Sequence, residues 1–92
     1  MSLAIEHLAD RGRFQAVVEG DGDAYTEYRI AGQELTILHT EVPPQLSGRG
    51  IAAALVQAAL AHAEASGLKV RPLCDYARGY MDRHPETASL RA

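Results

Sequence analysis

The feature that most constrains this chain is a change of hydrophobic period at Pro43-Pro44. Upstream, apolar and β-branched residues recur in short alternating runs. Downstream, Ile51 to Ser66 carries eight alanines, with Leu55, Val56, Ala59, Leu60 and Ala63 at helical spacing. Two prolines in a row cannot extend a hydrogen-bonded strand, so a strand ends here and an amphipathic helix follows. Gly67 is suited to the left-handed conformation after a helix C-terminus and marks where that helix stops.

The same reading orders the rest of the chain. Leu3 to Leu8 and Arg13 to Glu19 read as strands around a turn at Asp10-Arg11-Gly12. A turn at Asp21-Gly22-Asp23 leads to Ala24 to Ile30, and Gly32-Gln33 separates that strand from Glu34 to Val42. These four form an expected antiparallel meander. Leu68 to Leu73 reads as a fifth strand, and Asp75 to His84 as a helix with Asp75 as N-cap and Pro85 as stop signal. The last seven residues are expected to fray. The order β-β-β-β-α-β-α makes the chain α/β (α+β), with a mostly antiparallel sheet. Its crossover helix connects the fourth strand to a parallel fifth, and function is expected at that crossover.

Length and composition narrow the classes. The 92 residues correspond to one domain, 1–92. Of 43 apolar residues 16 are alanine, so 27 larger side chains must build a thin core, which a weak homodimer contact would help. Nine basic against twelve acidic residues give a net charge of −3 with no basic stripe, which argues against nucleic-acid partners. Cys74 is the only cysteine and cannot form an internal disulfide. No N-terminal secretory pattern and no run of about 18 apolar residues is present, so a cytoplasmic protein that does not enter membranes is expected. His7, His39, His62 and His84 lack the spacing of a zinc site, and no metal is expected.

Chemistry concentrates in Gln45-Leu46-Ser47-Gly48-Arg49-Gly50-Ile51, between a strand and the first turn of the alanine-rich helix. Two glycines permit a tight turn and close approach of a ligand to the backbone. The unpaired amides of the helix start, reinforced by the helix dipole, can hold an anion such as a pyrophosphate. Arg49 adds a permanent cation. An isolated G-x-G is more often a plain strand-to-helix turn; here the glycines follow a strand, a Pro-Pro break and a Gln and open the most alanine-rich helix of the chain, which shifts the balance toward a ligand loop.

Gln45-x-x-Gly48-x-Gly50 resembles the Q/R-x-x-G-x-G/A acyl-CoA-binding signature of the GNAT superfamily of N-acyltransferases. Glu41-Val42-Pro43-Pro44 and Gly50-Ile51-Ala52 are similar to the short, single-domain YjdJ-type members, and the similarity runs from about Glu34 to Pro85. The resemblance implies a reduced GNAT-like fold whose parallel fourth and fifth strands splay apart at the acyl-CoA site. It implies acetyl-CoA as cosubstrate, held by Val42, Gln45, Gly48, Arg49, Gly50, Ile51 and Ala52, with the thioester between Val42 and Cys74. Cys74 then stands as nucleophile or as a buried inert thiol. Tyr80 is similar to the tyrosine that protonates the leaving thiolate in the superfamily, or is a core residue with a wet hydroxyl. His39 and Glu41 share one face of the fourth strand by its two-residue period, and either can serve as base directly or through water. Many relatives carry a carboxylate near mid-strand, where this chain has Thr36, Ile37 and Leu38, which leaves the base unassigned. His84 belongs to a helix end.

The function so implied is acetyl transfer to a primary amine of a small molecule or protein. The N-terminal helices that wall the acceptor site in larger relatives are missing from the reading, which leaves an open site able to admit an exposed lysine or terminus. The alternative is a non-catalytic CoA-binding sensor or interaction module, and a third class is a small regulatory domain that binds no CoA.

Overall fold

Alternation of apolar and polar residues builds the sheet. The computed structural model describes residues 4–18 and 22–92, so the ends of the expected strands at Leu3 and Glu19, and the turn residue Asp21, lie outside the described residues. Strands β1 (Ile5–Leu8), β2 (Arg13–Val18), β3 (Gly22–Ala31) and β4 (Glu34–Glu41) pair antiparallel in sequence order. Strand β5 (Lys69–Pro72) lies parallel to β4, as the right-handed crossover logic requires of a strand reached through a helix. The expected α/β order is the observed one.

Helix α1 (Ile51–Ala65) covers one face of the sheet. Its Leu55, Val56, Ala59 and Ala63 are fully buried, and they pack with Phe14 and Ala16 of β2, Ala24 and Tyr28 of β3, and Leu35 and Ile37 of β4. Alanines at the contact let the helix axis approach the sheet. Burying a leucine or valine side chain there contributes about 1.5–3 kcal/mol. Helix α2 (Asp75–Arg83) adds Ala77, Tyr80 and Met81 to the same core.

The two faces of the sheet differ. The uncovered face carries charged pairs, with Arg13 3.8 Å from Glu27 and Arg71 3.1 Å from Glu34. Arg13 also lies 4.1 Å over the Tyr25 ring.

Helix α1 ends in a fully bonded cap. Gly67 donates to the Glu64 carbonyl (3.2 Å) and Leu68 to that of Ala63 (2.8 Å), the paired bonds of a Schellman motif. Nearby, His7 stacks on Phe14 at 4.2 Å, meets His62 of α1 edge-on at 4.5 Å and shares a hydrogen bond with the Tyr28 hydroxyl. Desolvation, and secondarily the neighbouring His62, hold the His7 imidazole below its ordinary value of 6.5.

Two expectations are corrected. Asp75 is not the cap of α2: Cys74, with extended backbone, occupies that position, and the Asp75 carboxylate pairs with Arg78 at 3.3 Å instead. The C-terminal residues do not fray. Pro85–Leu90 form a 3-10 helix, Thr87 Oγ1 donates to the His84 carbonyl at 2.7 Å, and Arg91 bridges to Val70 on the free edge of β5. Composition gave no hint of this edge pairing, which depends on where β5 ends up in space.

Candidate active site

A bulge in β4 decides which side chains meet at the crossover. Tyr28 of β3 pairs with Ile37, but Glu27 pairs with His39, so Leu38 is an extra residue. Strict alternation from Leu35 and Ile37 would turn His39 and Glu41 toward the helices. The bulge reverses this: Thr40 pairs with buried Thr26 on the helix-covered face, while His39 and Glu41 point to the uncovered face. They still share a face, and their side chains approach to 3.4 Å.

The ladder to β5 stops at the same place. Ile37 pairs with Pro72, and beyond it the amides of Leu73 and Cys74 both donate to the Ile37 carbonyl at 3.1 Å. Strand β4 runs on to Glu41, and among the described residues no strand pairs with it on that edge beyond Ile37. The result is a slit of about 350 Å³ lined by Leu38, His39, Thr40, Leu73, Cys74, Asp75 and Tyr76. The splay expected between the parallel strands is thus present. The Cys74 thiol, 9% exposed, donates to Thr40 Oγ1 across it at 3.5 Å.

A second cleft, of about 390 Å³, lies between the end of β4 and the start of α1, lined by Val42, Leu46, Ser47, Gly48, Gly50, Ile51, Ala52 and Tyr76. Pro43 ends the strand, and Pro44–Leu46 form a 3-10 turn that buries Leu46 and so anchors the loop. Gly48 (φ 81°) and Gly50 (φ 77°) are both left-handed, a conformation that strains any residue with a side chain. Among the described residues, nothing beyond the chain neighbours lies within 4 Å of where a Cβ would sit on either, so the backbone here faces open space. The first intrahelical bond runs from Ala54 to the Gly50 carbonyl (3.1 Å), and no side chain caps the helix. Helix geometry therefore leaves the amides of Ile51, Ala52 and Ala53 without an intrahelical acceptor. An anion fits this cradle.

Of the residues singled out from sequence, Val42, Gly48, Gly50, Ile51 and Ala52 line the loop cleft, and Cys74 and His39 line the slit. Gln45 and Arg49 are exposed on the same loop, outside its lining. Tyr80 is 5% exposed, stacks on His84 at 4.0 Å and lines neither cleft. His84 caps the end of α2, its Nδ1–H donating to the Tyr80 carbonyl at 2.7 Å. Among the described residues no group of three or more His, Cys, Asp or Glu is placed to hold a metal, and no helix is long and apolar enough to cross a membrane.

Two residues escaped the sequence reading. Tyr76 lines both clefts; its position two residues after Cys74, in the first turn of α2, was the available signal. Thr40 was hidden because a bulge has no mark in this sequence.

Known proteins share this sequence pattern and fold. A family model described as GCN5-related N-acetyl-transferase matches residues 13–90. Protein NATD1 of Xenopus tropicalis is 35% identical over 86 residues, covering 91% of this chain and 79% of that protein. The human Protein NATD1 is 35% identical over 85 residues, covering 90% and 75%. The solution structure of a GCN5-like protein from Staphylococcus aureus superposes with a TM-score of 0.79 at 25% identity, covering 100% of this chain and 91% of that one.

Proposed function

The chain belongs to the GCN5-related N-acetyltransferase family, and from that premise we propose that it transfers an acetyl group from acetyl-CoA to a primary amine. The observation that supports this reading is that the glycine-lined cleft at the start of α1 and the slit beside β4 share Tyr76 as a lining residue. Acetyl-CoA supplies an acyl carbon activated as a thioester. The amides of Gly48 to Ala53 hold the diphosphate, with Arg49 adding charge from the rim and Gln45 holding the loop. The backbone of Val42, at the free end of β4, offers hydrogen bonds to the pantetheine amides.

The slit then orders the chemistry. Cys74 and Thr40 bound it on the helix-covered face, and His39 reaches it from the other. The acceptor amine enters from the uncovered face. His39, oriented by Glu41 at 3.4 Å, accepts the proton the amine gives up. Tyr76, which lines both clefts, takes the proton-donor role toward the departing sulfur, leaving Tyr80 to packing. Direct attack by the amine requires no bond to Cys74, and acetylation of Cys74 itself would mark the covalent route.

The test incubates the protein with acetyl-CoA and a panel of primary amines, from free lysine to peptides with lysine or a free N-terminus, and follows products by mass spectrometry. Expected are acetylated amine and free CoA thiol in equal amounts, lost in His39→Ala. Acetyl-CoA binding without acetylation of any amine would replace the enzyme by a CoA-binding module. Cys74→Ala separates the two routes: transfer survives if the amine attacks directly.

A further inference from the structure

A polar contact across the slit joins Cys74 to a hydroxyl pair. Thr26 of β3, fully buried, and Thr40 of β4 share a hydrogen bond through their Oγ1 atoms, and the Cys74 thiol donates to Thr40 Oγ1 at 3.5 Å. The Cys74 amide is bonded to Ile37 of the same strand at 3.1 Å. Both its backbone and its side chain are therefore tied to β4, one on each side of the bulge.

We propose that Thr40 is a positioning residue for Cys74, holding its sulfur at the slit and exchanging hydrogen-bond direction with it as the thiol gains or loses its proton. A threonine hydroxyl has one hydrogen to donate and can accept two. With Cys74 as thiol, S–H donates to Thr40 and the Thr40 hydroxyl donates to Thr26. With Cys74 as thiolate, the Thr40 hydroxyl turns to the sulfur and Thr26 donates to Thr40, so neither hydroxyl on this buried path loses its partner. A bond to an ionised acceptor is roughly twice as strong as a neutral one, and S–H is a weak donor. The pair therefore keeps the sulfur bonded to β4 in either form. The cross-strand partner Thr26, at 0% exposure, has this hydroxyl as its place to bond, which explains a polar residue among Ala24, Tyr28 and Leu35. The importance of Thr40 to acyl transfer rests on the function proposed above; its effect on Cys74 does not.

Alkylation of Cys74 by iodoacetamide, followed by mass across a range of pH, tests the proposal in the full chain. Thr40→Val is expected to slow alkylation near neutral pH by about two- to tenfold, the scale of one net hydrogen bond. Thr40→Ser should restore the native profile. Thr40→Ala, which adds no methyl group against Thr26, should reproduce the valine profile and stands in if Thr40→Val does not fold. An unmoved profile in a folded hydroxyl-less variant, or a serine variant that behaves like valine, would overturn the role of Thr40. Thermal stabilisation by acetyl-CoA, measured on the same proteins, reports separately on the functional reading: its absence defeats that reading while the alkylation profile still decides Thr40.

Discussion

The two ends of α1 are finished in opposite ways. At the C-terminal end the protein satisfies itself: the Gly67 and Leu68 amides return to the helix, and His62 meets the ring of His7 beside Phe14 and Tyr28. At the N-terminal end, Gly50 is a cap without a side-chain bond, the next three amides have no intrahelical acceptor, and two clefts open beside them. A helix of fifteen residues that closes one end with care and leaves the other bare has a positive dipole end to offer. The contrast teaches where this small fold spends its polar groups on itself and where it leaves them open.

Breaking the open end should have the largest effect. Acetyl-CoA at a hundred times its Kd stabilises by about 2.7 kcal/mol, a rise of roughly 10–20 °C in Tm for a domain this small. Gly50→Asp places a carboxylate at the anion cradle and a side chain on a left-handed residue, and should abolish that rise in a thermal melt. Next comes the lining residue the two clefts share. Tyr76→Phe should lower kcat by about a hundredfold if its hydroxyl is the proton donor, with KM little changed, whereas Tyr80→Phe should leave turnover within about twofold; steady-state kinetics on the two variants decide between the tyrosines.

Breaking the closed end should leave ligand binding alone. Gly67→Ala puts a Cβ on a residue at φ 70° and should cost about 1–2 kcal/mol of stability, seen as a lower Tm with unchanged acetyl-CoA affinity by calorimetry. The smallest effect is the pH response of His7. Its folded-state value is depressed, so neutral His7 contributes stability that is complete above about pH 6.5 and is lost as pH falls from there toward the folded value. His7→Phe should flatten that acid slope in Tm measured from pH 7 to pH 5.

Much of this arrangement was legible beforehand because it follows from local rules. Pro43-Pro44 and the alanine run fixed the crossover, Gly67 fixed the helix end, and Gly48-x-Gly50 marked the left-handed turn before α1, each by a steric preference that acts within a few residues. What escaped depends on pairing between distant segments. The bulge at Leu38 arises from register against β3, and it alone reverses the outlook of His39 and Thr40. Tyr76 and Tyr80 lie four residues apart on one helix, and only the placement of α2 against β4 and β5 says that the first opens on the clefts while the second packs on His84. The C-terminal residues looked like a fraying tail until β5 presented an unpaired edge for Arg91 and Ala92 to join.

The most direct measurement is a backbone amide chemical-shift titration with acetyl-CoA. The largest perturbations are expected at Gly48, Arg49, Gly50, Ile51 and Ala52, with Val42 following and His62 to Leu68 unmoved. Saturating ligand that leaves those loop amides in place, or that moves the His7 and His62 end instead, would contradict the anion cradle on which the whole assignment stands.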